Sequence, residues 1–382
     1  MSLVVQKFGG TSVATPQARD RLLHQVKQCQ AEGYEVVVVV SAMGRKGDPY
    51  ATDTLIGLLE QIDPHIDLAK KDLLMSCGEI ISCAVLSHFL DIHGVPAEPL
   101  TGYQARILTT NAFSHSDILD IDPTVITHFL AQGKVVIVAG FQGITWGGKI
   151  TTLGRGGSDT TAVELGGYLD AKWVDIFTDV PGVAIVDPRL VPDAAYLENI
   201  SYAEMYQLAA HGAKVIHPRA VKAAEKFMLP VRVRSTFSDE AGTLISNTPC
   251  ARHKKVFGLP VEKEICSLKI KVEDRPILDK VRKTLLIDNI QDGFYKAYLK
   301  KEHADTVRAA LANSLLDYTD NMDRLSVLFH PEDQEAIKAT INNYLKAHLP
   351  GVHDVFWFDN SASIFMEHEH VQAIVQDLYK LF

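Results

Sequence analysis

Four short segments of this 382-residue chain gather glycine, lysine and hydroxyl side chains in ways that could hold an anion. The first is Lys7-Phe8-Gly9-Gly10-Thr11-Ser12. An apolar run from Leu3 delivers Lys7, two glycines follow, and two hydroxyl residues precede a helical pattern. Glycines let backbone N–H groups approach phosphate oxygens, and a helix N-terminus adds a favourable dipole. Lys7 would supply a full positive charge, although the same residues also suit a plain strand-to-helix turn with a surface lysine. The second segment runs from Thr151 to Thr161, with Gly154, Gly156 and Gly157 around Arg155 and a helix opening at Ser158. Asp159, in the first turn of that helix, would either offset the dipole or hold a lysine in place. The third is Thr178-Asp179-Val180-Pro181-Gly182, with Asp187-Pro188-Arg189 beyond it. It follows an apolar strand pattern, where a nucleotide would lie. The fourth is His211-Gly212-Ala213-Lys214, continuing to Arg219, a second lysine after a glycine. One glycine-rich turn is weak evidence; two that each open a helix beside a cation are much stronger. The pattern GxxxxGK[ST] occurs nowhere, which excludes a P-loop.

These loops need a scaffold, and the first two thirds of the chain describe one. Val36 to Val40, Val135 to Val138 and Trp173 to Phe177 are unbroken apolar runs, the mark of strands covered on both faces. Helical patterns fall at 15–32 and near 51–61, 67–91, 122–131 and 158–169. Strands alternating with helices predict an α/β fold with a mainly parallel sheet sandwiched by helices, and ligands at the strands' carboxyl ends. That is where the glycines stand.

Composition changes near 246–257. Ser246-Asn247-Thr248-Pro249 is a turn-rich stop, and Ala251-Arg252-His253-Lys254-Lys255 a short basic connector. The predicted domains are therefore 1–248 and 258–382. In the second, only Gly258, Gly293 and Gly351 remain. Strands are expected near 265–272, 293–299, 324–330, 352–358 and 362–367. Helices are expected near 275–286, 303–315, 332–347 and 370–380, with no tight repeat period.

The net charge of −9 argues against nucleic-acid or anionic-membrane partners, which require a basic field. Five cysteines without CxxC spacing argue against a zinc site and read as free thiols. His211, His217, His368 and His370 fit no metal-ligand pattern and read as structural or surface residues. No apolar run approaches the roughly 18 residues of a membrane span, and no cleavable leader is seen. The expectation is a soluble, cytoplasmic protein.

Taken together, KFGGTS, Ser41-Ala42-Met43-Gly44, Thr152 to Asp159, the TDV and DPR pair, and GAKVIHPR resemble the aspartokinases of the amino-acid kinase superfamily, in order and in spacing. The resemblance covers essentially residues 1–246; residues 41–53 look most like the diaminopimelate-sensitive type. It implies the amino-acid kinase fold and an ATP-dependent phosphotransfer to the side-chain carboxylate of L-aspartate. That reaction is the first step toward lysine, diaminopimelate, threonine and methionine. Position by position it implies that Lys7 and Lys214 flank the transferring phosphoryl group and that Asp159 organises them. Gly9, Gly10 and Thr11 would form the phosphate loop, and Thr178, Asp179 and Arg189 would contact the nucleotide. Thr52, Glu79, Arg155 and Ser158 would bind aspartate. A carboxylate acceptor is already ionised at neutral pH, its reference pKa being about 3.9. No general base is needed, only in-line positioning and charge compensation from the lysines and nucleotide-borne Mg²⁺. Arg155 would clamp the substrate α-carboxylate and Glu79 the α-ammonium. Without the resemblance, Glu79 reads as a helix-surface charge.

The tail departs from the paired ACT regulatory units usual in that family: Ser361-Ala362-Ser363-Ile364-Phe365 into the helix from Val371 still resembles the closing ACT segment, and the part before it is shorter and poor in glycine. Its strand-to-helix turns carry Glu273-Asp274-Arg275 and His330-Pro331-Glu332 where an effector-binding turn would favour glycine. The helix faces Ile277, Val281, Leu285 and Ile337, Ile341, Leu345 could pack against a second copy, so a homodimer or larger assembly is expected. The competing readings are a kinase of another small carboxylate, such as glutamate, and a non-catalytic amino-acid-sensing subunit. The two lysines with Asp159 speak against the latter.

Overall fold

The apolar runs at the start of the chain form the centre of a parallel sheet. The computed structural model describes residues 2–251, 255–291, 293–311, 314–347 and 351–382. It divides into two units: Met1–Val183, Tyr196–Ala209 and Lys214–Ala251 form the first; Ala184–Ala195, Ala210–Ala213 and Arg252–Phe382 the second. Arg252, His253 and Lys254 of the expected connector lie outside the described residues. The two short excursions, 184–195 and 210–213, carry no composition signal; they lie inside the expected block 1–248 but belong to the second unit.

In the first unit, β1 (Leu3–Phe8) leads to α1 (Pro16–Ala31), β2 (Glu35–Val40), α2 (Thr52–Glu60) and α3 (Leu68–Ile92). Then come β3 (Ala97–Leu100), β4 (Ile107–Thr109), β5 (Ile118–Ile121), α4 (Thr124–Leu130), β6 (Val135–Ala139), β7 (Gln142–Ile144) and β8 (Ile150–Thr152). The unit continues with α5 (Gly157–Tyr168), β9 (Val174–Thr178), β10 (Asn199–Ser201), α6 (Tyr202–Ala210), α7 (Pro218–Phe227), β11 (Val231–Ser235) and β12 (Thr243–Ser246). The main sheet has the order β10-β12-β11-β9-β1-β2-β6-β3, and every pair is parallel except β11 with β12. A smaller sheet, β5-β4-β7-β8, stands beside it. Along β1, Val4 and Phe8 face a core shared with Leu22 and Val26 of α1 and Cys83, Leu86 and Leu90 of α3. Residues of the opposite parity turn toward α5, which lies against β1 and β2. α1 begins cleanly because the Thr15 hydroxyl accepts from Ala18 N and Pro16 occupies the first turn.

α3 corrects one expectation. Its 25 residues are long and apolar enough, by length and composition, to cross a membrane. Here it is a core helix: Asp72 and Glu79 are buried along it and bonded to the surrounding loops.

The second unit holds β13 (Val256–Gly258), β14 (Val261–Lys271), α8 (Arg275–Lys280), β15 (Leu285–Gln291), β16 (Phe294–Lys300) and α9 (Ala304–Leu311). It ends with β17 (Leu315–Phe329), α10 (Gln334–Ala347), β18 (Val352–Trp357), β19 (Ser361–Glu367) and α11 (Val371–Leu381). The sheet order is β15-β16-β14-β17-β19-β18, with β13 pairing β17. Two βαββαβ modules are folded into it, each in the split βαβ arrangement. The 15-residue β17 closes the first and opens the second, and β13 supplies the second's fourth strand.

Several tail expectations are corrected here. The helix expected at 275–286 stops at Lys280, and Leu285 to Gln291 is a strand. The helix expected at 303–315 stops at Leu311, and Leu315 already belongs to β17. The Asp317, Asp320 and Asn321 side chains suppress strand propensity, yet pairing on β14 extends the strand through them. The repeat is topological, hidden because one strand is shared. The helix faces expected to meet a second copy are used internally. Ile337, Ile341 and Leu345 are buried with Leu325, Val327 and Phe329, while Ile277, Val281 and Leu285 pack on the cluster of Leu268, Ile270 and Leu299. Tyr298 stacks on Phe365 at 3.7 Å between centroids and joins the two modules.

Candidate active site

The carboxyl ends of β1, β2, β6, β9 and β11 converge through backbone bonds. Gly9 N donates to Phe177 O at 3.4 Å, Ser41 N to Phe8 O at 3.2 Å and Thr236 N to Thr178 O at 2.8 Å. Phe8 and Phe177 stack beneath at 4.6 Å. Above this floor, Lys7 Nζ lies 2.7 Å from Asp159 Oδ1, each side chain only 12% exposed. That oxygen makes no well-directed hydrogen bond among the described residues, so the contact is an ion pair. A Cβ at Gly9 would sit 3.5 Å from Lys7 Nζ, so a side chain there would enter the space beside the ammonium. At Gly10 a Cβ would stand 2.6 Å from Ala42 O and 2.7 Å from Gly44 O; only glycine lets the loop close on residues 41–44.

Asp159 is held by the start of α5. Its cap, Gly156, has φ +69°, and a Cβ there would meet His217 Cβ at 2.1 Å. Ser158 is buried against Gly140 at the end of β6. His217 caps α7, and burial with the neighbouring Arg219 pushes its imidazole below the usual range. Arg219 donates to Ser116 O at 2.6 Å, to Asp117 Oδ1 at 2.7 Å and to Leu153 O. The α7 start is thereby bonded to the strand end that leads into the Arg155 turn.

Glu79 is 3% exposed, not the surface charge its sequence context suggested. A Cβ at Gly78 would lie 2.7 Å from Ala42 Cβ and 3.0 Å from Tyr50 O, so the glycine lets α3 press against the loop that leads to Thr52. Glu79 Oε1 accepts from Ala42 N at 3.0 Å, and Oε2 has no hydrogen-bond partner among the described residues. Burial pushes this carboxyl up to about 8. Ala42 thus touches both the Gly10 turn and the Glu79 carboxylate. Thr178 Oγ1 donates to Asp179 Oδ1 at 3.2 Å, and Asp179 pairs with Arg45 at 2.6 Å.

Other expected site residues are placed but not joined to this cluster. Arg155 and Lys214 are exposed, and neither makes an ion pair among the described residues. Thr52 opens α2, and Thr11 lies in the short turn after Gly10. Arg189 belongs to the second unit, where it pairs with Asp187 at 2.6 Å. Of the histidines, His211 is neutral: burial and the nearby Arg324 push it down to about 4, and Nδ1 meets Ser326 Oγ at 2.8 Å. His368 pairs with Asp323 at 2.8 Å. His370 is half-buried near the exposed Glu367 and Glu369, the ligand atoms of all three within 4.8 Å of one another. Sequence reasoning passed over Arg219's bonding role and Asp72, a lone carboxylate in the first turns of an apolar helix.

The amino acid kinase family model matches residues 2–235. The chain belongs to the amino acid kinase family. Within that family its similarity is to aspartokinases. It is 51% identical to aspartokinase 1 of Bacillus subtilis over 247 residues, covering 65% of this chain and 61% of that protein. It is 45% identical to the aspartokinase of Geobacillus stearothermophilus over 266 residues, covering 69% of this chain and 64% of that protein. The matches thus span just over three fifths of these two relatives' lengths, 61% and 64%. Among solved structures, the aspartate kinase of Synechocystis is 32% identical with a TM-score of 0.58, covering 100% of this chain and 69% of that chain. The aspartokinase III of E. coli, solved with aspartate and ADP, is alike in fold: TM-score 0.79, 22% identity and 99% of both chains covered.

Proposed function

We propose that this amino acid kinase family member is an aspartate kinase, forming ADP and 4-phospho-L-aspartate from ATP and L-aspartate. The observation that carries the reading is the shared loop 41–44. Ala42 closes one way on the Gly10 turn beside the Lys7–Asp159 pair and the other way on the half-satisfied Glu79. A phosphate-binding turn and an ammonium-binding carboxylate are thus held by one short segment.

The acceptor carboxylate needs no deprotonation. It attacks the γ-phosphorus, the bond to the β,γ-bridging oxygen breaks, and ADP leaves. Lys7 offsets charge on the transferred group, and Lys214, from the loop before α7, is assigned the second such charge. The glycine turn fits a nucleotide phosphate because a Cβ at Gly9 would fill the space beside Lys7. Mg²⁺ carried on the nucleotide would supply further positive charge. Thr11 joins the phosphate loop; Thr178 and Asp179 are assigned to the nucleotide; Thr52 and Ser158 to aspartate. We assign 1–248 to catalysis and 258–382 to an ACT-like region with a regulatory or dimerising role, in a cytoplasmic homo-oligomer.

Arg155, exposed between two positive-φ glycines, is assigned to the substrate α-carboxylate. Arg155→Lys should raise the KM for aspartate by about tenfold while leaving the KM for ATP unchanged, since lysine lacks the planar fork. Steady-state kinetics with each substrate varied in turn checks this; a change confined to ATP would move Arg155 to the nucleotide. The activity itself is tested by ADP release across an amino-acid panel, with aspartate expected as the preferred acceptor. Preference for glutamate, or no amino-acid-dependent ADP release, would overturn the assignment. Repeating the assay with lysine and threonine should show weak inhibition or none, because the tail's strand-to-helix turns are filled. Inhibition by submillimolar lysine would contradict that view of the tail.

A further inference from the structure

The fully buried Asp72 lies on α3, seven residues before Glu79. Seven residues bring a helix back to nearly the same face, about 10 Å further along its axis. Four donors converge on the Asp72 carboxylate. Oδ2 accepts from Ser114 N at 2.8 Å and Thr152 N at 2.7 Å. Oδ1 accepts from Ser114 Oγ and Thr152 Oγ1, both at 2.9 Å. Two of the four are backbone N–H groups, which can only donate and so require an acceptor at this place. Thr152 ends β8, three residues before Arg155. Ser114 is the other wall: a Cβ on Gly154 would stand 2.8 Å from Ser114 O. Asp72 therefore grips both sides of the turn that presents Arg155, from the helix that presents Glu79.

We infer that Asp72 is a positioning residue for the amino-acid subsite, fixing the separation between the group that meets the ammonium and the group that meets the α-carboxylate. The inference rests on the proposed roles of Glu79 and Arg155. It does not depend on which side-chain carboxylate is phosphorylated. A methyl group at 72 would leave the Ser114 and Thr152 N–H groups without their acceptor, and the Arg155 turn would shift relative to α3. A misplacement of about 1 Å in a binding constellation can cost on the order of a hundredfold. The effect should fall on the amino acid and spare the nucleotide.

The test is Asp72→Ala, assayed beside the wild type with ATP and each amino acid of a panel, together with amide hydrogen exchange at residues 152–156. The expected result is a KM for the accepted amino acid raised about tenfold or more, a KM for ATP within about twofold, and faster exchange in the turn. Thr152→Val and Thr152→Ser guard against a variant that fails to fold. Valine should reproduce part of the defect, and serine, which keeps the hydroxyl, should restore near wild-type KM. An amino-acid KM within about twofold of wild type, or an equal rise in both KM values, overturns the inference. If the wild type accepts no amino acid, the functional proposal fails on its own, and exchange in the turn decides for or against Asp72: unchanged protection refutes its grip.

Discussion

Lys7→Ala is expected to lower kcat by about 10²–10³-fold while changing the KM for aspartate little. The expectation comes from where the lysine is held. β1 is paired on both sides, Lys7 opposite Val39 and Ile176, so its backbone is fixed at the centre of the sheet. Its side chain is largely buried, and Asp159 fixes the ammonium from the first turn of α5. A charge held this way needs no reorganisation as negative charge builds on the transferring phosphoryl group, so its worth appears mainly in the transition state. Lys7→Arg should not restore full rate, because the wider guanidinium does not fit the space beside Gly9 as a compact ammonium does. Steady-state kinetics on a variant with wild-type circular dichroism checks the point. Turnover near normal in folded Lys7→Ala would remove Lys7 from the chemistry.

The second large effect belongs to Glu79. Its carboxyl is pushed up to about 8 by burial, against an ordinary value of 4.5. The native chain therefore holds a proton there that the unfolded chain has lost between those two values. The stability this contributes is fully present below pH 4.5 and disappears as pH rises through about 8. An arriving ammonium reverses the balance, because it pairs with the ionised form and with Oε2, which lacks a hydrogen-bond partner among the described residues. Aspartate binding should thus release a proton at neutral pH, and the KM for aspartate should fall as pH rises from 6.5 to 8.5. Glu79→Gln should raise that KM by about 10–10²-fold, the cost of one charge-assisted hydrogen bond, and flatten its pH dependence. The KM for ATP should keep its wild-type profile. A flat wild-type KM across this range, or one that rises with pH, would show that Glu79 does not meet the ammonium.

Much of the first unit was legible because its signals are local. Val36–Val40 and Val135–Val138 admit little besides buried parallel strands, and Lys7 with Gly9 and Gly10 stands where one of them ends. Asp159 could be placed in the first turn of a helix, but the choice between dipole partner and lysine partner needed the fold. Glu79 was the harder residue. Its helix is apolar on more than one side, so nothing in the pattern separates a buried carboxylate from an exposed one; Gly78, which lets α3 close on Ala42, was the available clue. Asp72 was missed because its four donors come from Ser114 and Thr152, 42 and 80 positions away. The second unit was least legible. β15 is an edge strand of mixed composition, and the polar first half of β17 is a strand only because β14 lies beside it. The excursion at 210–213 depends on partners such as Ser326, far along the chain.

The central claim is that a side-chain carboxylate of aspartate accepts the γ-phosphoryl group. An acyl phosphate is the product that separates this from ATP hydrolysis, and hydroxylamine traps it as a hydroxamate by displacing phosphate at the carbonyl carbon. The purified chain, incubated with ATP, Mg²⁺, aspartate and hydroxylamine, is predicted to form the β-hydroxamate of aspartate in step with ADP, and the folded Lys7→Ala variant to form it about 10²–10³-fold more slowly. ADP release without hydroxamate, or hydroxamate formed from glutamate and not from aspartate, would contradict it.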